Sequence, residues 1–296
     1  MSTVPNYYVP EQSKWPIVTV IAMGLFLCGF AMMLLSSANQ QDNSVLSLLM
    51  CTVGAAGLAY IFFGWFGSVI RESSMGLYNQ QMDASFRISM IWFIFTEIMF
   101  FVAFFFALFY SRYISVPWIA AEGHKEMNFL LWPEFIAGWP LFENPDNKLF
   151  PAPSGIINPF HLPLMNTILL VTSSFTVSYA HKALKEDKRS LIAIWLAVTV
   201  ILGVVFLYLQ GTEYVHAYRD LGLTLDSGIY GSIFFILTGF HGMHVTIGTI
   251  ALLVILLRVL KGHFRQDNHF GFEAVSWYWH FVDMVWLILF ISVYIL

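Results

Sequence analysis

Long apolar runs, separated by short polar stretches, occupy most of this chain. A bilayer core about 30 Å thick requires about 20 mostly apolar residues for each spanning helix. Seven runs meet this requirement, at residues 17–35, 45–70, 88–110, 164–182, 191–210, 229–260 and 274–296. The pattern predicts an all-α membrane protein with seven transmembrane helices and a single domain that covers residues 1–296.

The composition agrees with a membrane location. Apolar residues make up 58% of the chain and charged residues 11%, whereas soluble domains carry about 25% charged residues. The sequence contains no basic run of the kind that binds nucleic acid, and the first 15 residues lack the pattern of a cleavable signal peptide. Cys28 and Cys51 both fall inside apolar runs, which favours core packing over a disulfide or a metal site.

The distribution of Lys and Arg predicts the orientation, because basic loops stay in the cytoplasm. Seven helices place the termini on opposite sides. The side of the N-terminus receives Lys14, Arg71, Arg87, Lys182, Lys185, Lys188, Arg189, Arg258, Lys261 and Arg265, and the other side receives Arg112, Lys125, Lys148 and Arg219. We therefore expect a cytoplasmic N-terminus and an external C-terminus. The longest external loop, residues 111–163, is rich in Pro and Trp, which favours a compact, packed loop.

Several ionisable residues interrupt the apolar runs. They are Glu97, His241, His244, Glu273, His280 and Asp283. Ionisable groups are costly in a bilayer, so they usually face protein or water and mark a function. Three interpretations remain open: a metal or haem site, a proton path, or structural hydrogen bonds between helices. Glu97 lies in almost wholly apolar surroundings, where a carboxyl is expected to stay largely protonated near neutral pH.

Two further patterns concern packing and lipid. Gly54, Gly57, Gly64 and Gly67 punctuate the second run, as expected for close helix contact. Arg71 and Glu72 follow the second run, and Arg258, Lys261 and His263 follow the sixth. Such clusters can hold anionic lipid head groups, although from the residues alone the general excess of basic residues on the cytoplasmic side is the favoured explanation.

Four segments together resemble subunit III of the haem–copper, aa3-type cytochrome c oxidases, and most closely its proteobacterial members. They are residues 86–101, 166–184, 228–249 and 269–283. The resemblance covers nearly the whole chain in order. It implies a two-helix group and a five-helix group separated by a cleft filled with phospholipid.

The resemblance also implies roles for individual residues. Glu97 matches the carboxyl that reacts with carbodiimides in this family. Trp65, Arg71, Glu72, Arg258 and His263 match positions that contact lipid in the cleft. His244, Glu273 and His280 match positions in the larger helix group, and we interpret them, with His241 and Asp283, as structural hydrogen-bonding residues. No catalytic residue and no metal ligand is expected in this chain.

The function implied is that of a non-catalytic subunit of a proton-translocating oxidoreductase. Haem a, haem a3 and copper would reside in partner subunits, and this chain would bind phospholipid, stabilise subunit I and support proton uptake. Expected partners are subunits I and II, with a small subunit IV as a further candidate, and cytochrome c through the complex. The expected location is a bacterial inner membrane, with the C-terminus in the periplasm.

Three alternatives remain. A quinol oxidase has a related subunit III, which usually has five helices. A stand-alone proton channel or transporter could be built around Glu97. A haem-bearing membrane cytochrome would show a visible spectrum when the chain is isolated.

Overall fold

The computed structural model describes residues 12–39, 44–122, 126–264 and 269–296. These residues form helices joined by turns and loops, and none of them forms a β-strand. Lys125 and Arg265, which entered the count of basic residues, lie outside the described residues. The α-helices in chain order are α1 (Trp15–Asn39), α2 (Ser44–Ser74), α3 (Gln80–Tyr110), α4 (Val116–Ile119), α5 (Glu126–Leu131), α6 (Leu162–Lys185), α7 (Arg189–Arg219), α8 (Ile229–Leu260) and α9 (Phe270–Leu289). Two π-helical segments, Ser111–Ser115 and Phe290–Ile295, follow α3 and α9.

Seven helical segments among the described residues are long and apolar enough to cross a membrane, which confirms the predicted number. Several of them extend beyond the predicted ends. Helix α7 contains 31 residues, which corresponds to about 46 Å at about 1.5 Å per residue. The bilayer core is only about 30 Å thick. Apolar runs therefore mark the part of each helix inside the bilayer, and the helices continue into more polar sequence.

The start of the predicted external loop is helical. The prediction ended the third helix at residue 110, but the π-helical segment and α4 carry it on to Ile119. Pro117 lies at the start of α4, and its missing N–H removes one backbone hydrogen bond where the π-helical segment passes into α4. Helix α5 adds a further turn inside the same loop. The predicted loop 111–163 is therefore too long at its start.

Residue contacts divide the chain into two compact units, Met1–Phe86 and Arg87–Leu296. In the first unit α1 and α2 pack closely, because glycine lets their backbones approach. A Cβ atom on Gly54 would lie 2.5 Å from the backbone nitrogen of Phe26, and one on Gly29 would lie 2.6 Å from that of Cys51. The predicted close contact at Gly54 is confirmed. A Cβ on Gly67, by contrast, would meet no atom within 4 Å.

The second unit has its core among α6, α7, α8 and α9. Trp279 of α9 is fully buried, and its indole nitrogen donates a hydrogen bond to the Ser173 hydroxyl of α6 over 2.9 Å. Gly203 of α7 and Gly248 of α8 lie against the same ring, since a Cβ on either would come within 3.0 Å and 2.8 Å of it. One side chain thus contacts three neighbouring helices. This arrangement fixes the positions of the polar residues that α6, α8 and α9 carry.

Candidate functional site

Glu97 of α3 and His244 of α8 form a side-chain pair inside the membrane-spanning region. Nε2 of His244 lies 2.9 Å from Oε2 of Glu97. The Glu97 side chain is 23% exposed, whereas the imidazole is buried. Phe101 packs edge-on against the imidazole, with ring centroids 5.0 Å apart. The structure therefore brings together two of the residues singled out in the sequence, at the edge of the helix bundle.

The second nitrogen of His244 determines what this pair can do. Nδ1 lies 2.6 Å from the carbonyl oxygen of Phe240. A carbonyl can only accept, so Nδ1 carries a hydrogen and donates it. The contact between Nε2 and Glu97 then needs one further proton, held either by the carboxyl group or by the imidazole. The pair thus shares one proton across the contact between α3 and α8.

His280 of α9 bonds to hydroxyl groups rather than to a carboxyl. Its Nδ1 lies 2.6 Å from the Ser174 hydroxyl of α6, and its Nε2 lies 3.4 Å from the Ser178 hydroxyl on the same helix. Trp286 of α9 likewise donates to the Thr167 hydroxyl of α6 over 3.0 Å. The hydroxyl groups of α6 therefore serve as a row of partners for α9.

His241 and Asp283 are both buried within the helix bundle. Nε2 of His241 lies 3.2 Å from the carbonyl oxygen of Val282, and its ring packs on Trp286 with centroids 5.1 Å apart. Both carboxyl oxygens of Asp283 are buried without a partner at hydrogen-bonding geometry among the described residues, although the Ser174 hydroxyl is close enough to interact. Neither residue contacts Glu97 in the way that His244 does.

Glu273 lies in the first turn of α9, where it meets residues of α3 and α6 and the residue that precedes α9. Arg87 of α3 forms an ion pair with Oε2 of Glu273. Nε2 of His181, at the end of α6, lies 3.5 Å from Oε1, and Nε2 of His269 lies 3.2 Å from the same oxygen. Among the described residues, His181, His269 and Glu273 are the group whose ligand atoms lie close enough to hold a metal ion. The sequence prediction named only Glu273 from this group.

Another polar group that sequence reasoning missed lies in the core near the opposite ends of the helices. Glu213 of α7 is fully buried, and the Tyr294 hydroxyl donates to its Oε1 over 2.6 Å. The side chain of Gln210, one turn earlier, is buried without a partner at hydrogen-bonding geometry among the described residues, although the Tyr214 and Tyr294 hydroxyls are close enough to interact. The predicted helix ended at residue 210, so Glu213 was placed outside it. Recognising that α7 continues to Arg219 would have revealed this group.

The residues predicted to contact lipid lie in both units, and each set is described within its own unit. In the first unit Trp65 and Arg71 are exposed, and Glu72 accepts a hydrogen bond of 2.8 Å from the Tyr78 hydroxyl. In the second unit the Arg258 guanidinium lies over the Phe264 ring, 4.4 Å from its centroid, and His263 is exposed. Arg258 is thus held by an aromatic ring, and no carboxylate among the described residues pairs with it at salt-bridge distance.

The sequence matches one protein family and several curated proteins over most of its length. The family described as Cytochrome c oxidase subunit III matches residues 5–121 and 145–296. Curated relatives carry the name Cytochrome c oxidase subunit 3. The protein of Latimeria chalumnae is 38% identical over 97% of this chain and 96% of its own length, and that of Struthio camelus is 36% identical over 98% and 96%. The protein of Tetraodon nigroviridis is 35% identical over 97% and 96%. These relatives are vertebrate proteins, so the expected similarity to proteobacterial members stays a prediction.

Proposed function

Because the chain belongs to the cytochrome c oxidase subunit III family, and is thus part of an oxidase complex, we propose that it is the non-catalytic subunit III of a proton-pumping aa3-type enzyme. In this proposal haem a, haem a3 and copper belong to partner subunits, with subunits I and II as direct neighbours and subunit IV as a further candidate. The chain stabilises subunit I and supports proton uptake. Cytochrome c is a partner of the whole complex, and of this chain only through it. We place it in a bacterial inner membrane, with a cytoplasmic N-terminus and a periplasmic C-terminus.

One observation carries the non-catalytic assignment. His244 and His280, two of the imidazoles within the spanning helices, each bond to a side chain on a neighbouring helix of this chain. Hydrogen bonds of this kind between membrane helices contribute about 0.6 kcal/mol each on average. Their partners are a carboxyl and hydroxyl groups within the bundle. A role in holding helices together therefore accounts for them.

The lipid proposal rests on the cations at one end of the second unit. Arg258 and His263 lie where α8 ends, and the Arg258 guanidinium has an aromatic ring on one face and no carboxylate partner among the described residues. A phosphodiester would supply the missing anion. Arg71, Glu72 and Trp65 are proposed to serve the same purpose in the first unit. Replacing Arg258 with Gln should reduce the phospholipid that co-purifies, as measured by phosphorus analysis, whereas Lys148→Gln in the long loop should leave it unchanged.

Affinity purification of the tagged chain in a gentle detergent tests the main proposal. The expected eluate contains two larger partner chains, haem a and copper, seen in the visible spectrum and by mass analysis. A colourless chain that elutes alone would contradict it and favour a channel or transporter centred on Glu97. Haem in a chain that elutes alone would instead indicate a membrane cytochrome. Partner chains that oxidise quinol but not cytochrome c would indicate a quinol oxidase.

A further inference from the structure

The group formed by His181, His269 and Glu273 has a donor set typical of a zinc site. Two neutral imidazoles and one carboxylate, with an open fourth position, is a common ligand set for Zn²⁺ in proteins. The three residues come from two elements, because His181 lies near the end of α6 and the other two lie at the start of α9. Their ligand atoms all lie within 4.8 Å of one another.

The distances from the carboxylate are compatible with a tetrahedral ion. Zinc bonds to nitrogen and oxygen are about 2.0–2.1 Å long, so two ligand atoms of a tetrahedral site lie about 3.3 Å apart. The observed separations from Oε1 of Glu273 are 3.5 Å to His181 and 3.2 Å to His269. Yet Nε2 of each histidine is buried without a partner at hydrogen-bonding geometry among the described residues. Both nitrogens thus converge on Oε1 of the carboxylate.

Arg87 holds the other side of the carboxylate. It pairs with Oε2 of Glu273, while both imidazoles face Oε1. One oxygen, Oε1, is thus left for an ion. The Arg87 cation also repels a bound Zn²⁺. Arg87 therefore limits the affinity of the site, and its removal has the opposite effect to removal of a ligand.

We propose that His181, His269 and Glu273 bind one Zn²⁺ ion at the end of the bundle predicted to face the cytoplasm. The imidazoles would bind through Nε2 and the carboxylate through Oε1. Bound zinc would join the end of α6 to the start of α9. This inference does not depend on the oxidase assignment, because it uses only residues of this chain.

The test is zinc binding to the purified complex that contains this chain. Equilibrium dialysis against ZnCl₂ alone should show one zinc ion bound per wild-type complex. In His269→Gln and in Glu273→Gln the affinity for this ion should fall about tenfold or more. Arg87→Gln should instead bind about fivefold more tightly. The control is His216→Gln, which removes an imidazole 2.6 Å from the carboxylate of Asp220 elsewhere in the chain, and it should leave the binding unchanged.

X-ray absorption separates this site from the thiols of Cys28 and Cys51. The difference between the X-ray absorption spectra of wild type and His269→Gln should show nitrogen and oxygen ligands and no sulfur. Zinc binding that is equal in wild type and both ligand variants would overturn the proposal, as would sulfur ligation in the difference spectrum. If a ligand variant fails to assemble, the zinc affinity of Arg87→Gln still tests the proposal. A gain in that affinity supports a zinc site, because an ion-pair network that binds no metal predicts no gain.

Discussion

Two carboxyl groups inside the helix bundle have different partners and different surroundings. Glu97 lies at the edge, 23% exposed, and shares a proton with an imidazole. Glu213 lies in the core, fully buried, and accepts a hydrogen bond from the Tyr294 phenol. An imidazole can take the proton from its partner, whereas a phenol remains a donor under ordinary conditions. The edge pair can therefore change its proton position, and the core pair serves to hold α7 against the end of the chain.

The largest expected contrast is in chemical labelling. A hydrophobic carbodiimide reacts with protonated carboxyl groups that it can reach from the lipid. We expect an adduct on Glu97 and none on Glu213, located by mass spectrometry of peptides from the labelled complex. Glu97→Gln should abolish the adduct. An adduct on Glu213 would show that the core is open to the reagent and would remove the difference between the two regions.

The core pair should contribute most to stability. Tyr294→Phe leaves Oε1 of Glu213 buried without its donor, which should lower the free energy of unfolding by about 1–3 kcal/mol. Denaturant titration in mixed micelles measures this change. Tyr208→Phe is the matched control on α7, because Tyr208 is 70% exposed, and it should change little. An equal loss in both variants would contradict a specific role for the Glu213–Tyr294 contact.

A smaller effect is expected where α6 and α9 meet. Ser174→Ala removes the hydroxyl 2.6 Å from His280, and hydrogen bonds between membrane helices average about 0.6 kcal/mol. Ser178→Ala removes the longer contact of 3.4 Å, so it should cost less. The same denaturant titration compares them. A larger loss in Ser178→Ala than in Ser174→Ala would contradict the assignment of Ser174 as the main partner of His280.

The sequence predicted the spanning helices well because hydrophobicity alone determines which segments enter a bilayer. It did not predict their ends, since polar residues continue a helix outside the membrane, and Glu213 was missed for that reason. The partner of Glu97 could not be chosen among His241, His244 and His280, because spacing along one helix does not determine which helix lies beside it. Arg87, His181 and His269 were missed because each was counted only as part of a loop or helix end.

The central claim is that the polar groups of this chain hold helices together and perform no redox chemistry. The activity of Glu97→Gln in the assembled complex tests this claim most directly. Gln has the shape of a protonated Glu, and its amide can donate to Nε2 of His244. The account predicts normal assembly, with oxygen consumption and proton release close to those of wild type and a stability change within about 0.5 kcal/mol. A complex that assembles normally but no longer moves protons would contradict it, and Glu97 would then belong to the proton path itself.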